Sequence, residues 1–273
     1  MNGINIYYNT ERKIIMKKVL SFALCALMAL TMGGCNSGSS EKSDYKYITD
    51  KGKLIVGITE YAPMDYKDDD GNWTGFDAEF AQAVGKKMGV DVEFMEINWD
   101  NKFLELNAKS IDCVWNGMTI TDEVLKNTAC SKPYVKNEQV VVMKADEVSK
   151  YPDADSMKDL KFSAESGSAG QTAAEDAGFN VTAVSAQSDA LMEVASGSVD
   201  ACVIDATMAS AMTGDGTSYK DLKSSIVLTS EEYGVGFRKE SDMVEKFNTY
   251  MDELKKDGTL TDLAEKYKLS LAD

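Results

Sequence analysis

Histidine is absent from the 273 residues, and cysteine and proline are scarce. Without histidine the chain has no Ser-His-Asp or Cys-His nucleophile and little with which to bind a transition metal, so we expect no metal and no cofactor. Beyond the first 35 residues there are three cysteines, Cys113, Cys130 and Cys202, whose odd number and spacing match no metal or redox motif. We expect free thiols, and a Cys113–Cys130 disulfide is the alternative.

Basic side chains are also in short supply. The chain has 29 Lys and Arg against 45 Asp and Glu, a formal net charge of −16. Residues 1–35 hold four of the basic side chains and one of the acids, which leaves 25 basic and 44 acidic residues and a charge of −19 for the remainder. A surface of this sign repels phosphates, so we exclude a nucleic-acid partner.

The longest apolar run lies near the amino terminus. Met16-Lys17-Lys18 precedes an apolar stretch from Val19 to Met32, which ends at Gly33-Gly34-Cys35. A basic start, an apolar run of this length and small residues at its end are typical of a secretory signal rather than a membrane-spanning helix. We therefore predict a signal peptide over residues 1–34, with Met16 as an alternative start.

Gly33-Gly34-Cys35 resembles the lipobox of bacterial lipoproteins. The resemblance implies that Cys35 is the acylated first residue of the mature protein, which then contacts the cell membrane from the outside through acyl chains only. Cleavage without lipidation is the alternative. The polar Gly/Ser-rich stretch that follows predicts a flexible tether over residues 35–46.

The next part of the chain alternates between strand and helix patterns. The β-branched run 53–58 predicts a buried parallel strand, and apolar residues every four positions from Phe76 to Met88 predict one face of a helix. A strand at 90–94, a short helix at 103–110 and a strand at 111–115 follow. This β-α-β-α-β order is typical of an open α/β sheet.

The same pattern recurs 88 to 89 positions later. Gly89-Val-Asp-Val is echoed by Gly178-Phe-Asn-Val, and Ile111-Asp112 by Val199-Asp200. Two similar α/β units in one chain predict a molecule with two lobes, which we place at 47–138 and 139–229. Residues 135–144 and 225–238 contain predicted strands, at 139–143 and 225–228, that we interpret as hinges between the lobes. Because the chain crosses twice, residues 230–273 are predicted to return to the first lobe.

Short motifs occur in a fixed order from about Leu54 to Leu269. They are Tyr61-Ala-Pro63, Gly75-Phe-Asp77, Asn116-Gly-Met-Thr-Ile-Thr121, Ser131-Lys-Pro-Tyr134, Gly167-Ser168, Gly197-Ser-Val-Asp200 to Asp205, and Asp257-Gly-Thr-Leu to Tyr267. In this order they resemble the polar amino-acid binding proteins of ABC importers, bacterial extracellular solute-binding family 3. The resemblance implies a type II periplasmic-binding fold, in which two open mixed sheets are joined by two hinge strands. It also implies a small amino-acid-like ligand and an ABC permease as partner, and we expect a monomer without enzymatic activity.

Two segments are expected to bind the ligand's carboxylate. In an open α/β sheet, clefts form beyond the carboxyl ends of the strands, and Asn116-Gly117-Met118-Thr119 follows a predicted strand directly. Thr121 can cap a helix there, and amides at such a start suit an anion. The resemblance assigns this segment to an α-carboxylate, while Gly167-Ser168-Ala169 could offer amides from the second lobe. A capped helix start without a ligand is the alternative.

Further side chains are expected around the rest of the ligand. Asp205 ends an apolar run, where a carboxylate is costly unless it meets a cation or several donors. The resemblance pairs Asp205 with an α-ammonium, and helix capping is the alternative. It also places Tyr61 and Trp99 beside the ligand side chain, with core packing as the alternative for Trp99. Asp65 is expected to face the ligand or to belong to a turn.

One position departs from the family. An arginine usually lies three residues after the threonine that is Thr121 here, as a bidentate clamp on the carboxylate, but this chain has Val124. Arg238 is not an obvious substitute, and Lys126 should point elsewhere around the helix. Either backbone amides and Thr119 hold the carboxylate, or the ligand is not a standard α-amino acid.

Two other functions remain open on the same fold. A cyclohexadienyl-dehydratase-like enzyme would need a general acid with a shifted pKa in the cleft, and Asp65 and Asp205 are the candidates. The second of these functions is that of a surface sensor or adhesin without a transport role.

Overall fold

The computed structural model describes residues 43–273. The predicted signal peptide, Cys35 and most of the predicted tether lie outside these residues. Helix α1 (Asp44–Lys51) comes first, with the Ser43 hydroxyl accepting from Lys46 N at its start and Gly52 in the left-handed conformation at its end. Residues 44–46, which we had assigned to the tether, are thus helical, since Ser43 caps the helix and Ile48 is fully buried.

The first lobe is built on a five-stranded sheet. Strand β1 (Lys53–Ile58) pairs in parallel with β4 (Asp91–Glu96) and with β5 (Cys113–Val114). Antiparallel β12 (Gly236–Phe237) and β6 (Ala129–Cys130) complete it in the order β4-β1-β5-β12-β6. The chain therefore leaves this sheet after β6 and re-enters it at β12.

The second lobe has its own five-stranded sheet. Strand β8 (Lys161–Glu165) pairs in parallel with β9 (Asn180–Val184) and β10 (Ala201–Asp205). Strand β10 is followed by antiparallel β7 (Val135–Lys144), and β11 (Leu222–Tyr233) lies at the edge, in the order β11-β7-β10-β8-β9. A two-stranded hairpin of β2 (Tyr66–Lys67) and β3 (Trp73–Thr74) lies apart from both sheets.

The two sheets share one arrangement. In each, a central strand (β1 or β8) has a parallel edge strand on one side (β4 or β9) and a parallel strand on the other (β5 or β10), followed by an antiparallel one (β12 or β7). The first pair of echoed sequence segments leads into β4 and β9, and the second pair leads into β5 and β10. Within each pair, the two strands occupy equivalent places in the two sheets. The internal repeat in the sequence thus reflects two lobes of the same topology.

Two long strands connect the lobes. β7 and β11 pair antiparallel from Val135 opposite Tyr233 to Lys144 opposite Leu222, with irregular register between Ser224 and Thr229. β11 is much longer than the predicted strand 225–228. The polar residues 229–232 resemble a loop in sequence but form a ladder with β7, so tertiary pairing overrides their weak strand propensity.

The remaining regular elements are helical. Beyond α1, the α-helices of the described residues are α2 (Phe76–Met88), α3 (Lys102–Ala108), α4 (Asp122–Asn127), α5 (Ala169–Asp176), α6 (Gln187–Ser196), α7 (Ala206–Met212), α8 (Met243–Lys256) and α9 (Thr259–Tyr267). Three short 3-10 helices are Trp99–Asn101, Val148–Lys150 and Asp155–Met157. Among residues 43–273, no helix combines the length and apolar character needed to cross a membrane.

The chain end packs on the first lobe through aromatic side chains. Phe247 of α8 lies 5.8 Å from Phe80 of α2 and 5.0 Å from Trp115, between ring centroids. Phe247, Phe80 and Trp115 are fully buried, and each contributes about 2–3 kcal/mol through burial. The second lobe has a smaller core in which Phe162 stacks on Phe179 at 4.1 Å. Each lobe thus has packed apolar side chains beneath its sheet.

Candidate ligand-binding site

A cavity of about 410 Å³ lies between the lobes. Its walls come from the segments that follow β5 in the first lobe and β8 and β10 in the second, which is where open α/β sheets form clefts. The volume falls in the range of about 300–1,000 Å³ that is usual for small-molecule sites. The predicted residues that line it are Trp99, Asn116, Gly117, Met118, Thr119, Gly167, Ser168, Ala169 and Asp205.

The first turn of α5 forms part of the second-lobe wall. Ser168 has an extended backbone, and its hydroxyl accepts from Gln171 N at 3.1 Å, so Ser168 caps the helix. The first N–H groups of a helix have no partner inside the helix, and Ala169, the first residue of α5, lines the cavity. This helix start presents backbone donors suited to an anionic group.

The first-lobe wall contributes fewer free donors than the sequence suggests. Thr121 caps α4 as predicted, since its hydroxyl accepts from Val124 N at 3.2 Å. The Thr119 hydroxyl donates to Glu231 Oε1 at 2.6 Å. A hydroxyl has one proton, so Thr119 cannot also donate to a ligand carboxylate while this bond is made. Other donors must therefore hold an anion here.

Asp205 is buried at the end of β10 and surrounded by neutral donors. Its Oδ1 accepts from Gln139 Nε2 and Tyr233 Oη, both at 2.8 Å, and also from Asn137, while its Oδ2 accepts from Gln187. Asp205 occupies the position before α7, but its side chain makes no capping hydrogen bond. The capping alternative is therefore wrong, and the carboxylate is directed into the polar network at the cavity.

The charge of Asp205 is poorly compensated. Burial, reinforced by the nearby carboxylate of Glu231, raises the pKa of Asp205 to about 7, although hydrogen bonds from Tyr233, Gln187 and Gln139 act in the opposite direction. The partners of the carboxylate are amides and a hydroxyl rather than cations. A positively charged ligand group would supply what these partners do not.

Two buried charged side chains at the cavity were not predicted. Glu165 ends β8 and is only 4 % exposed, and burial, reinforced by the charge of Asp205, raises its pKa to about 8. Lys102 begins α3 and is also 4 % exposed, and its burial lowers its pKa. Both line the cavity. Asp205 was predicted because it ends an apolar strand, and the same reasoning applies to Glu165 at the end of β8. No local sequence pattern marks Lys102 as a cavity residue.

Asn116 and Gly117 are held from behind by two buried carboxyl groups. Asn116 Nδ2 donates to Asp65 Oδ2 at 2.7 Å, and Gly117 N donates to Asp77 Oδ2 at 2.6 Å. Asn116 also exchanges hydrogen bonds with Thr59, so its side-chain amide is fully engaged within the lobe. Asn116 therefore shapes the cavity wall with its amide already occupied.

Asp65 itself does not line the cavity. It is completely buried, and burial, with the charge of Asp77 next in size, raises its pKa well above the usual range. Burial likewise raises the pKa of Asp77 to about 7. Asp65 Oδ1 and Asp77 Oδ1 both lack a hydrogen-bond partner among the described residues. Asp65 is thus part of a buried acid pair behind the wall.

Tyr61 also lies behind the wall. Its hydroxyl hydrogen-bonds to Thr207 of the second lobe and, at 2.6 Å, to the Tyr233 hydroxyl. The ring packs against Gly117, where a Cβ would lie 2.6 Å from Tyr61 Cε1. Tyr61 therefore links the two lobes beside the hinge strands. Trp99, by contrast, does line the cavity.

In the described part of the chain, no arginine takes the place of the one that the family usually has at position 124. Val124 is buried in an apolar cluster with Trp99 and Met118. Arg238 donates to Asp44 Oδ2 at 2.9 Å and to Asp112 Oδ1 at 3.3 Å, where it joins α1 to the first sheet. Arg238 is thus a structural residue away from the cavity, as expected.

The three cysteines of the described residues are free thiols. Cys113 and Cys202 are buried, and burial raises the pKa of Cys130 to about 11. The expected free thiols are therefore present, and the alternative Cys113–Cys130 disulfide is not formed.

A second, wider groove of about 1290 Å³ lies between residues 206–217 and 266–270. It contains none of the predicted ligand-binding residues. Lys266, at its rim, is already paired with Glu79 at 2.7 Å. The smaller cavity, with its uncompensated buried charges, is the better candidate for a specific ligand.

Two lobes of equal topology, two connecting strands and a polar cavity between the lobes define a two-lobed solute-binding protein. The chain belongs to the bacterial extracellular solute-binding proteins, family 3, whose model matches residues 54–270. The type II periplasmic-binding fold expected from the sequence is confirmed. Members of this family bind their solutes outside the cytoplasm.

Named relatives cover nearly the whole chain. The arginine-binding extracellular protein ArtP of Bacillus subtilis is 32% identical over 92% of this chain and 98% of its own length. The L-cystine-binding protein TcyJ of Escherichia coli is 29% identical over 88% of this chain and 91% of its own. Among solved structures, the ancestral amino acid-binding protein AncCDT-1, a precursor of cyclohexadienyl dehydratase, has a TM-score of 0.75 and 31% identity over 82% of this chain and 99% of that one.

Proposed function

We propose that this protein binds an amino-acid-like solute between its lobes and delivers it to an ABC importer. The observation that carries the proposal is the pairing of opposite binding chemistries in one cavity. The first turn of α5 offers backbone donors at Ala169, and Asp205 offers a buried carboxylate with only neutral partners. A molecule with a carboxylate and an ammonium group satisfies both ends.

The remaining lining residues have supporting roles in this proposal. The ring of Trp99 packs against the ligand side chain, and Met118 adds apolar surface beside it. Asn116 and Gly117 form the first-lobe wall, and Gly167 lets the second lobe approach closely. Lobe closure around the ligand uses β7 and β11 as the flexible connection.

Isothermal titration of the mature protein against the twenty amino acids, opines and small amines tests the proposal. We expect at least one zwitterionic ligand to bind, and Asp205→Asn to weaken it about 10- to 100-fold, as loss of a charged partner does. Asp200→Asn, at the opposite end of β10, is the matched control and should bind as the parent does. No binding across the panel would contradict the proposal.

The lipid anchor belongs to the same proposal. Acylation of Cys35 would hold the protein at the outer surface of the cell membrane, near a permease. We propose that the anchored protein is a monomer. Metabolic labelling with a palmitate analogue should mark the parent but not Cys35→Ser. A permease gene and an ATPase gene beside this one would favour transport over a surface sensor.

An enzyme on this fold is the second candidate. Glu165 and Asp205 have pKa values raised to about 8 and about 7 by burial, which is the property that a general acid needs near neutral pH. The similarity to a dehydratase precursor adds support. Mass spectrometry of each bound ligand after prolonged incubation distinguishes the two functions, because a binding protein returns its ligand unchanged.

A further inference from the structure

Lys102 is the cationic side chain that the structure brings to the cavity. Among the described residues that line the cavity, Lys102 is the only lysine or arginine. The other charged lining residues are the acids Asp122, Glu123, Glu165 and Asp205. A ligand carboxylate that enters this acidic cavity therefore depends on one positive charge.

The ammonium group of Lys102 reaches across to the second lobe. Its Nζ donates to Gly167 O at 2.9 Å and to Trp99 O at 3.3 Å. Gly167 directly precedes the capped start of α5, where Ser168 and Ala169 line the cavity. The ammonium is thus fixed beside the backbone amides that suit an anion.

This ammonium has one donor left. A lysine ammonium has three N–H donors, and two are directed at the carbonyl oxygens of Trp99 and Gly167. Its acidic neighbours Glu123, Glu165 and Asp100 oppose the effect of burial on its pKa, but its hydrogen bonds go to carbonyl groups rather than to carboxylates. The positive charge is therefore held in place without a neutralising hydrogen-bond partner.

We propose that Lys102 is the carboxylate-anchoring residue of this protein and replaces the arginine that the family has at the position of Val124. The inference rests on the proposed function and deepens it. Val124 is apolar and buried, the Thr119 proton is directed to Glu231, and Arg238 is paired with Asp44. Lys102 provides the charge from α3 instead of α4.

Because Lys102 also joins the lobes, its removal alone could weaken any ligand through poorer closure. The test therefore compares ligands that differ only in the anchored group. L-arginine, L-argininamide, which lacks the carboxylate, and 5-guanidinopentanoate, which lacks the α-ammonium, are titrated together with the amino-acid panel. For each amino acid that binds, its carboxamide is the partner probe.

We expect Lys102→Met to weaken the amino acid about 10- to 100-fold, the loss usual for a charged hydrogen bond, and to leave the carboxamide within about threefold. Lys102→Arg should recover part of the affinity for the amino acid. Lys126→Met removes one positive charge from the exposed face of α4 and should bind as the parent does. Unfolding temperatures of all variants establish that each is folded.

Equal losses for the acid and its carboxamide, or no loss for either, would overturn the inference and leave the proposed function intact. Parent binding of the carboxamide as tight as that of the acid would do the same. If 5-guanidinopentanoate bound in a Lys102-dependent manner while no amino acid bound, the inference would stand and the proposed function would fail. Binding of no probe by the parent would overturn both.

Discussion

Glu165 and Asp205 end two neighbouring parallel strands of the second lobe, and the charge of Asp205 helps burial to raise the pKa of Glu165. Burial raises the pKa of Glu165 to about 8 and that of Asp205 to about 7. Lys102 and Asp189 also act on Glu165, in opposite directions, and Glu231 acts on Asp205. The free cavity therefore holds exchangeable protons at neutral pH.

A cationic ligand group should displace these protons. A nearby positive charge favours the ionised carboxylate and lowers its pKa, so binding near pH 7 should release protons, and affinity should rise as pH increases from 6 to 8. Titration calorimetry at pH 7 in phosphate and in Tris measures the released protons through the buffer's heat of ionisation. Asp205→Asn should release fewer protons on binding than the parent. Identical binding heats in the two buffers would rule out a coupling between ligand binding and proton release.

The acid pair behind the wall leads to a stability prediction. Burial raises the pKa of Asp77 from 3.8 to about 7 and raises that of Asp65 as well. A carboxyl group whose folded pKa is raised stabilises the fold at low pH, and this contribution is lost as pH rises through the folded pKa. The ligand-free protein should therefore lose stability between pH 4 and pH 8.

Asp65→Asn should reduce that loss. An asparagine can still accept from Asn116, but it removes a carboxylate that must otherwise be buried beside Asp77. Thermal unfolding at pH 5 and pH 8 should show a smaller difference for this variant than for the parent. Part of the difference should persist, because Asp205 and Glu165 have shifts of the same sign. Asp69→Asn, in the exposed neighbouring turn, should behave as the parent does; a parent-like slope in Asp65→Asn would refute the assignment.

Much of the site was predictable because its signals are local. Asp205 and the start of α5 follow strands directly, and the carboxyl ends of parallel strands meet at one sheet edge. Lys102 was not predictable in this way, because its role depends on Gly167, 65 positions along the chain and in the other lobe. The missing arginine at Val124 indicated only that backbone amides and Thr119 hold the carboxylate, or that the ligand is not a standard α-amino acid.

The position of Tyr61 differs from the expectation for a related reason. Its place after β1 suggested a side chain in the cleft, but its hydroxyl is drawn towards Thr207 and Tyr233, which are distant in sequence. The α/β class and the two lobes, by contrast, followed from periodicity and the internal repeat, and the type II fold followed from the resemblance to the family. The length of β11 did not, since the polar residues 229–232 owe their strand conformation to pairing with β7.

Gly117 should tolerate no side chain. Its φ is +55°, and a Cβ would lie 2.6 Å from Tyr61 Cε1 and 3.2 Å from Tyr233 Cε2. Gly117→Ala should lower the free energy of unfolding by about 2–4 kcal/mol, from left-handed backbone strain plus overpacking. Gly52→Ala, with φ +74° and no atom within 4 Å of the added Cβ, isolates the backbone term at about 1 kcal/mol. Denaturant unfolding measures both, and equal losses would contradict close packing at Gly117.

The hydroxyl cluster that joins the lobes should couple to ligand affinity. Tyr61 of the first lobe hydrogen-bonds to Thr207 of the second and to Tyr233, and Thr207 also lies 3.1 Å from the Tyr233 hydroxyl. Because these bonds join the two lobes, we expect them to favour lobe closure around a ligand. Tyr61→Phe and Thr207→Val should each weaken binding about 3- to 10-fold, the worth of one neutral hydrogen bond.

The double variant distinguishes a direct link from two separate effects. If Tyr61 and Thr207 act through their shared bond, the combined loss of affinity should be smaller than the product of the single losses. Calorimetry on the four proteins closes the cycle. Thr217→Val serves as the control, because the Thr217 hydroxyl bonds only to backbone oxygens of Met212 and Gly214 in the second lobe. Any loss of affinity in Thr217→Val should combine multiplicatively with the loss in Tyr61→Phe. Multiplicative losses for Tyr61→Phe with Thr207→Val would show that this contact does not hold the lobes together.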